Sequence, residues 1–214
     1  MDEQRSGIME AKRTVGMVLF DGFELLDVFG PLEFFGRYPE QFEILMLAEG
    51  MGAIRSAQGP AAMADIDLAN CLPLDILIVP GGRGTRREVY NESLIAELRR
   101  LAENAQYVTS VCTGAGLLAK AGLLDGKRAT TNKLAYAWAT SQGPKVYWVP
   151  EARWVEDGNV FTSAGVSAGM DMALALIAKI LGIETAREAA VYTEYIWNED
   201  PSSDPFAHLA GLVD

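Results

Sequence analysis

Two cysteines and one histidine are the only thiol and imidazole side chains in these 214 residues. Cys71 and Cys112 are too few for a disulfide framework, and with only His208 beside them they argue against a zinc site. No apolar run is long enough to cross a bilayer. Basic side chains are scarce: 18 Lys and Arg stand against 29 Asp and Glu, a formal net charge of −11. A surface that acidic repels phosphate backbones, which sets nucleic acid aside as a partner. The opening MDEQRSGIMEAKRT has no apolar core of the kind a secretory signal needs, and residues 1–13 are expected as a disordered tail. Together these absences point to a reducing cytoplasm and no membrane partner. No repeat, low-complexity tract or composition shift divides the chain. The expectation is one domain over residues 14–197 and a C-terminal tail over 198–214.

Half of the chain is hydrophobic, enough to bury a core. Residues 14–20 (TVGMVLF), 42–47 (FEILML), 75–79 (DILIV) and 107–111 (YVTSV) read as strands. The continuous apolar run at 75–79 suits a strand buried on both faces of a parallel sheet. Between them, residues 25–37, 91–104 and 113–121 carry helical spacing, with Pro31 bending or starting the first and Asn91 capping the second. Residues 52–66 look like a hairpin, and 154–163 form another around Asp157-Gly158. Residues 128–131 and 145–149 are further strand candidates, and 167–181 and 184–196 read as helices. Alternating strands and helices define an α/β sandwich with a parallel sheet. Ligands of such folds bind beyond the carboxyl ends of the strands, where the loops after Phe20, Val79 and Val111 leave.

One of those loops carries chemistry. In VTSVCTGAG a β-branched run stops at Cys112 and small residues follow. A strand–Cys–helix junction is the pattern of a nucleophile elbow, in which a sharp turn lifts a reactive atom above the sheet. The helix N-terminus is expected to favour the thiolate and lower the thiol pKa below about 8.5. The competing reading is a cysteine packed as a small hydrophobe, which suits Cys71 in NCLPLD better than Cys112.

With SVCTGAGLLAKAGLLDGKRATT, VLFDGFELLDVFGPLEFF, LDILIVPGG and DGNVFTSAGVSAGMDMALALI in this order, the chain resembles the DJ-1/PfpI superfamily, and within it the isonitrile hydratase-like branch. The resemblance implies a flavodoxin-like three-layer α/β/α sandwich, related to class I glutamine amidotransferases, with a nucleophile elbow. It also implies a homodimer, no cofactor and a small-molecule substrate. Residue by residue, it implies Cys112 as nucleophile and Asp27 of LLDVFGP as its acidic partner. Gly82 and Thr113 would offer backbone N–H groups to a developing negative charge. Gly81 and Asn132 would border the pocket. The leading expectation is an enzyme that hydrates an isonitrile to an N-substituted formamide.

Departures from relatives narrow this. Thr113 stands directly after the cysteine, where a protease-like relative has histidine. Asn132 stands after ATT, where the hydratase branch typically has histidine, and an amide cannot serve as a base near neutral pH. Lys133, Trp138 and Trp197 are candidates for reshaping the pocket, with ordinary packing the plainer reading for both tryptophans. Two alternatives remain: a glyoxalase-like enzyme for small α-oxoaldehydes, with Glu24 near the motif, and a redox sensor acting through oxidation of Cys112. Gly114-Ala115-Gly116 formally fits a dinucleotide loop, but no acid ends the next strand.

Overall fold

The computed structural model describes residues 11–214, and the following statements concern those residues. The chain runs β1 (Arg13–Val18), α1 (Leu25–Gly36), β2 (Phe42–Ala48), β3 (Gly52–Arg55), β4 (Ala61–Ala64), β5 (Ile66–Asp67) and β6 (Ile76–Val79). It continues with α2 (Thr85–Glu88), α3 (Glu92–Ala102), β7 (Tyr107–Ser110), α4 (Gly114–Lys120), β8 (Arg128–Ala129), α5 (Tyr136–Ser141) and β9 (Tyr147–Trp148). The remainder is β10 (Trp154–Asp157), β11 (Val160–Ser163), α6 (Ala168–Leu181), α7 (Ile183–Tyr192) and α8 (Pro205–Leu209).

Seven strands form the main sheet in the order β10-β11-β7-β6-β1-β2-β5. All neighbours pair in parallel except β10 with β11, the hairpin around Asp157-Gly158. The strand β6 reads ILIV and is buried throughout, as a central parallel strand must be. Helices flank the sheet in two groups, α1 with α6 and α7, and α4 with α2, α3 and α5. This is the flavodoxin-like α/β/α sandwich. On α3, Leu94, Ile95, Leu98 and Leu101 face the core at helical spacing, and Asn91 caps it by accepting from Leu94 N at 3.2 Å.

Four local expectations are revised. Residues 128–131 and 145–149 shrink to β8 and β9, a two-residue parallel pair outside the main sheet. Beyond Ala129 the chain turns to side-chain bonds made by two threonines. Thr130 Oγ1 donates to Val149 O at 2.8 Å, and Thr131 Oγ1 donates to Cys112 O at 2.8 Å. Pro31 lies inside α1, which begins at Leu25, so it does not mark the start of the helix. The helix α7 stops at Tyr192, before the expected 196, where the Thr193 hydroxyl bonds back to Ala189 O at 3.0 Å and Glu194 turns to φ +51. Finally, residues 198–214, expected as a tail, carry α8 and bury Asp204 and Ala207. Of the expected N-terminal tail, residues 1–10 lie outside the described residues, and Arg13 begins β1.

Candidate active site

The three loops expected to converge do so. Glu24 N donates to Gly81 O at 2.9 Å, Gly84 N to Gly22 O at 3.0 Å, and Val111 N to Val79 O at 3.0 Å. These bonds join the loop after β1 to the Pro80-Gly81-Gly82 turn after β6, and β6 to the cysteine turn after β7.

Cys112 sits on that turn at φ +56, a left-handed conformation that a non-glycine residue adopts at a cost. The surroundings hold it there. Its N–H is shared between Ser163 O at 3.2 Å and Ala164 O at 3.3 Å, and its carbonyl accepts from Thr131 Oγ1. The elbow is thus clamped by the end of β11 and by the segment after β8. Gly165 completes the clamp: a Cβ there would lie 2.7 Å from Cys112 Sγ and would also meet Asn132 Nδ2, so only glycine lets the chain pass the sulfur.

Asp27 reaches the same point from α1 and is fully buried. Its Oδ2 accepts from Gly81 N at 2.8 Å. A side chain at position 81 would collide with both groups, its Cβ 2.9 Å from Asp27 Oδ2 and 2.6 Å from Thr113 N. Glycine here therefore allows the carboxyl and the elbow to share one space. The other oxygen, Oδ1, is buried with no hydrogen-bond partner. Burial pushes the Asp27 pKa well above the usual carboxylate range; the Gly81 N–H opposes this, the Glu24 charge adds to it, and the Cys112 thiol opposes it as a hydrogen-bond partner.

The thiol behaves in the opposite way to the expectation from the helix N-terminus. Burial raises the Cys112 pKa well above its ordinary value, and the Asp27 charge raises it further. The Thr113 backbone N–H, the Thr113 hydroxyl and the Asn132 side chain favour the thiolate without overcoming burial. The helix argument was local, while the burial comes from distant segments. Burial thus favours the protonated form of both groups, two acids sharing one pocket.

The other expected residues divide. Thr113 and Asn132 meet the sulfur, and Asn132 is oriented by accepting from Ala135 N through Oδ1 at 2.9 Å. The Gly82 N–H donates to Thr113 Oγ1 at 3.1 Å, so it serves the threonine in this structure. Thr85, which sequence reading missed, donates to Gly82 O at 2.7 Å and approaches Thr113 Oγ1 at 3.2 Å. Glu24 is bound by Gln58 Nε2. Trp138 lies under the Arg86 guanidinium, 4.0 Å from the ring centre, and Trp197 Nε1 donates to Asp171 O at 3.1 Å, outside the site. Cys71 is buried, its thiol donating to Leu72 O at 3.3 Å, a packing role. His208 is exposed on α8.

A cavity of about 440 Å³ is lined by Leu26, Asn132, Leu134, Gly165, Val166, Phe206 and Leu209 among others. Two of these come from α8. Its start, Asp204-Pro205, is an N-cap followed by proline at N1, a signal the sequence does contain. No group of three or more His, Cys, Asp or Glu able to hold a metal occurs among the described residues. Nor does any described helix have the length and apolarity to cross a membrane.

A cysteine held at positive φ between a parallel strand and a helix, with a buried acid at its side, defines an elbow-type α/β protein. The DJ-1/PfpI family model matches residues 13–179, and the chain belongs to that family. The chain is 35% identical over 183 residues to an isonitrile hydratase of Pseudomonas putida, covering 85% of this chain and 78% of that protein. It is 30% identical over 146 residues to a deglycase of Thermococcus kodakarensis, covering 67% of this chain and 84% of that one. Among solved structures, a THiJ/PfpI family protein from Pseudomonas syringae superposes with a TM-score of 0.81 at 28% identity, covering 99% of this chain and 90% of that one.

Proposed function

We propose that this protein is an enzyme that hydrates an isonitrile to the N-substituted formamide, with Cys112 as nucleophile and Asp27 as proton carrier. The observation that carries the reading is the pairing of a clamped, buried thiol with a buried carboxyl whose Oδ1 has no other partner. Similarity to the Pseudomonas putida hydratase over most of both chains supports it.

Both groups begin protonated, and the chemistry suits that state. The terminal carbon of an isonitrile carries a lone pair, so a general acid can protonate it as sulfur adds. The S–H bond breaks, C–S and C–H bonds form, and a thioimidate, Cys112–S–CH=N–R, results. Asp27 relays this proton between sulfur and carbon. Water then adds to the same carbon, with one proton going to nitrogen. The C–S bond breaks, the hydroxyl proton returns through Asp27 to sulfur, and R–NH–CHO leaves. The Thr113 N–H and the Asn132 amide stabilise the sulfur while it carries charge.

An activity on small α-oxoaldehydes is the second reading, and a deglycase among the relatives supports an enzyme activity other than isonitrile hydration. The Gln58 hold on Glu24 gives a cysteine–glutamate pairing less support. Burial and the raised thiol pKa give the sensor reading less support as well, since oxidation follows exposed thiolates. A homodimer in the cytoplasm is the assembly and compartment expected from family and composition.

The test follows formamide formation from an aryl isonitrile by ultraviolet absorbance. The wild type turns over and Cys112→Ala does not. Turnover by Cys112→Ala, or consumption of α-oxoaldehydes without isonitrile hydration by the wild type, would overturn the assignment.

A further inference from the structure

We propose that a second cavity, apart from the elbow, binds a small organic phosphate monoester, held by Arg55, Arg83, Arg86 and the Ser56 hydroxyl. The site stands whatever reaction Cys112 performs.

In a chain of net charge −11 with only 18 Lys and Arg, four arginines line one cavity of about 430 Å³: Arg55, Arg83, Arg86 and Arg87. Like charges gathered this closely repel one another, and solubility does not require them in one place. Neither Cys112 nor Asp27 lines this cavity.

Only Arg87 is neutralised, by Glu88 Oε1 at 2.5 Å. Among the described residues, Arg55, Arg83 and Arg86 form no ion pair. The carboxylate on the cavity wall is Asp21, and its Oδ1 accepts from the Arg55 backbone N–H at 3.2 Å. Three unpaired guanidiniums against one carboxylate leave the cavity positive. Their donors are also largely unspent. Arg55 Nη1 donates to Gly59 O at 3.3 Å, Arg83 Nη2 to Ala57 O, and Arg86 Nη1 to Thr85 Oγ1 at 3.0 Å. Each guanidinium carries five N–H groups.

Ser56 supplies an independent sign of a ligand. It lines the same cavity, is 6% exposed, and its Oγ is buried with no hydrogen-bond partner. Its backbone is fully engaged: the N–H donates to Pro60 O at 2.9 Å and the carbonyl accepts from Gly59 N at 3.2 Å. A buried hydroxyl without a partner is costly, and a bound acceptor removes that cost.

The frame is fixed. Gly84 N donates to Gly22 O, and Arg87 Nη2 donates to Asp21 O at 2.8 Å, so the loop after β1 and the start of α2 are tied together. Arg86 is stacked on Trp138. A carboxylate is planar and is satisfied by one guanidinium fork. Three guanidiniums and a hydroxyl from separate segments suit the tetrahedral oxygens of a phosphate dianion. The volume lies in the range of small-molecule pockets, roughly 300–1,000 Å³, which leaves room for an organic group on the phosphate.

Calorimetric titration tests this with glycerol 3-phosphate, against glycerol and acetate at matched ionic strength. Glycerol 3-phosphate binds and the two controls do not. Arg83→Gln, Arg86→Gln and Ser56→Ala each weaken binding by about tenfold, the worth of one hydrogen bond to a charged group. Arg128→Gln, an exposed arginine elsewhere, leaves it unchanged. Unfolding midpoints without ligand show that the variants fold. Glycerol 3-phosphate also changes the tryptophan fluorescence, and Trp138→Phe removes that change. No binding of glycerol 3-phosphate, equal binding of acetate, wild-type affinity in folded Arg83→Gln and Arg86→Gln, or a fluorescence change that survives Trp138→Phe overturns the proposal.

Discussion

Two buried acidic clusters lie on either side of the end of β11, and they are treated in opposite ways. At the elbow, Asp27 has Cys112 beside it, another acid. At the C-terminal side, Asp171 and Asp204 surround Arg153. Arg153 Nε meets Asp171 Oδ2 at 2.6 Å, and Tyr195 Oη donates to Asp171 Oδ1 at 2.9 Å. Burial alone would lower the Arg153 pKa, but the hydrogen bond and charge of Asp171, with Asp204 and Tyr195, leave it above its ordinary value. One cluster holds a compensating cation. The other lacks one, and burial raises the pKa of both its acids. The same buried carboxyl group faces a cation in one place and a thiol in the other, and the sign of the neighbour is what differs most between the two clusters.

Removing the compensation should cost most. Arg153→Met strands two buried acids, and a loss of about 3–5 kcal/mol is expected. Chemical denaturation checks it; a loss below about 1 kcal/mol would mean that the cluster is not coupled. Asp27→Asn should lower kcat for isonitrile hydration by about 10²–10⁴-fold, the usual worth of a positioned acid. Steady-state kinetics beside the wild type decide it.

The same substitution should act oppositely on stability. The folded pKa of Asp27 is raised, so its favourable contribution is complete below the unfolded carboxyl pKa of about 3.9 and is lost as pH rises toward the folded value. Asp27→Asn removes that loss. Its denaturation midpoint, taken relative to wild type, should therefore rise as pH climbs above about 3.9. A gap that stays flat would place the folded pKa near the unfolded one. Smallest is Tyr195→Phe, which deletes one of the bonds to Asp171 and should cost about 1 kcal/mol. The midpoint in denaturant reads it, and a neutral result would show that Arg153 and Asn198 N suffice for Asp171.

The sheet was legible because its central strands are apolar runs, and the elbow because a β-branched strand stops at Cys112 before small residues. Asp27 was readable only through family resemblance, since an acid at the start of a helix looks like a cap. The thiol pKa was misjudged in direction: the local helix signal is visible in VCTGAG, while burial by residues 163–165 and Asp27 is not. The C-terminal wall was missed for the same reason. Its anchor joins Asp204 to Arg153, a pairing that composition cannot show.

The clamp on Cys112 also has a consequence for the order in which the site comes into being. Its N–H is held by the carbonyls of Ser163 and Ala164, at the end of β11. A chain made from its N-terminus completes β7 and the cysteine turn before those carbonyls exist. Cys112 therefore emerges unclamped and acquires its geometry only after β11 docks. The turn is thus finished by roughly the last quarter of the chain, long after the residue it shapes has been made.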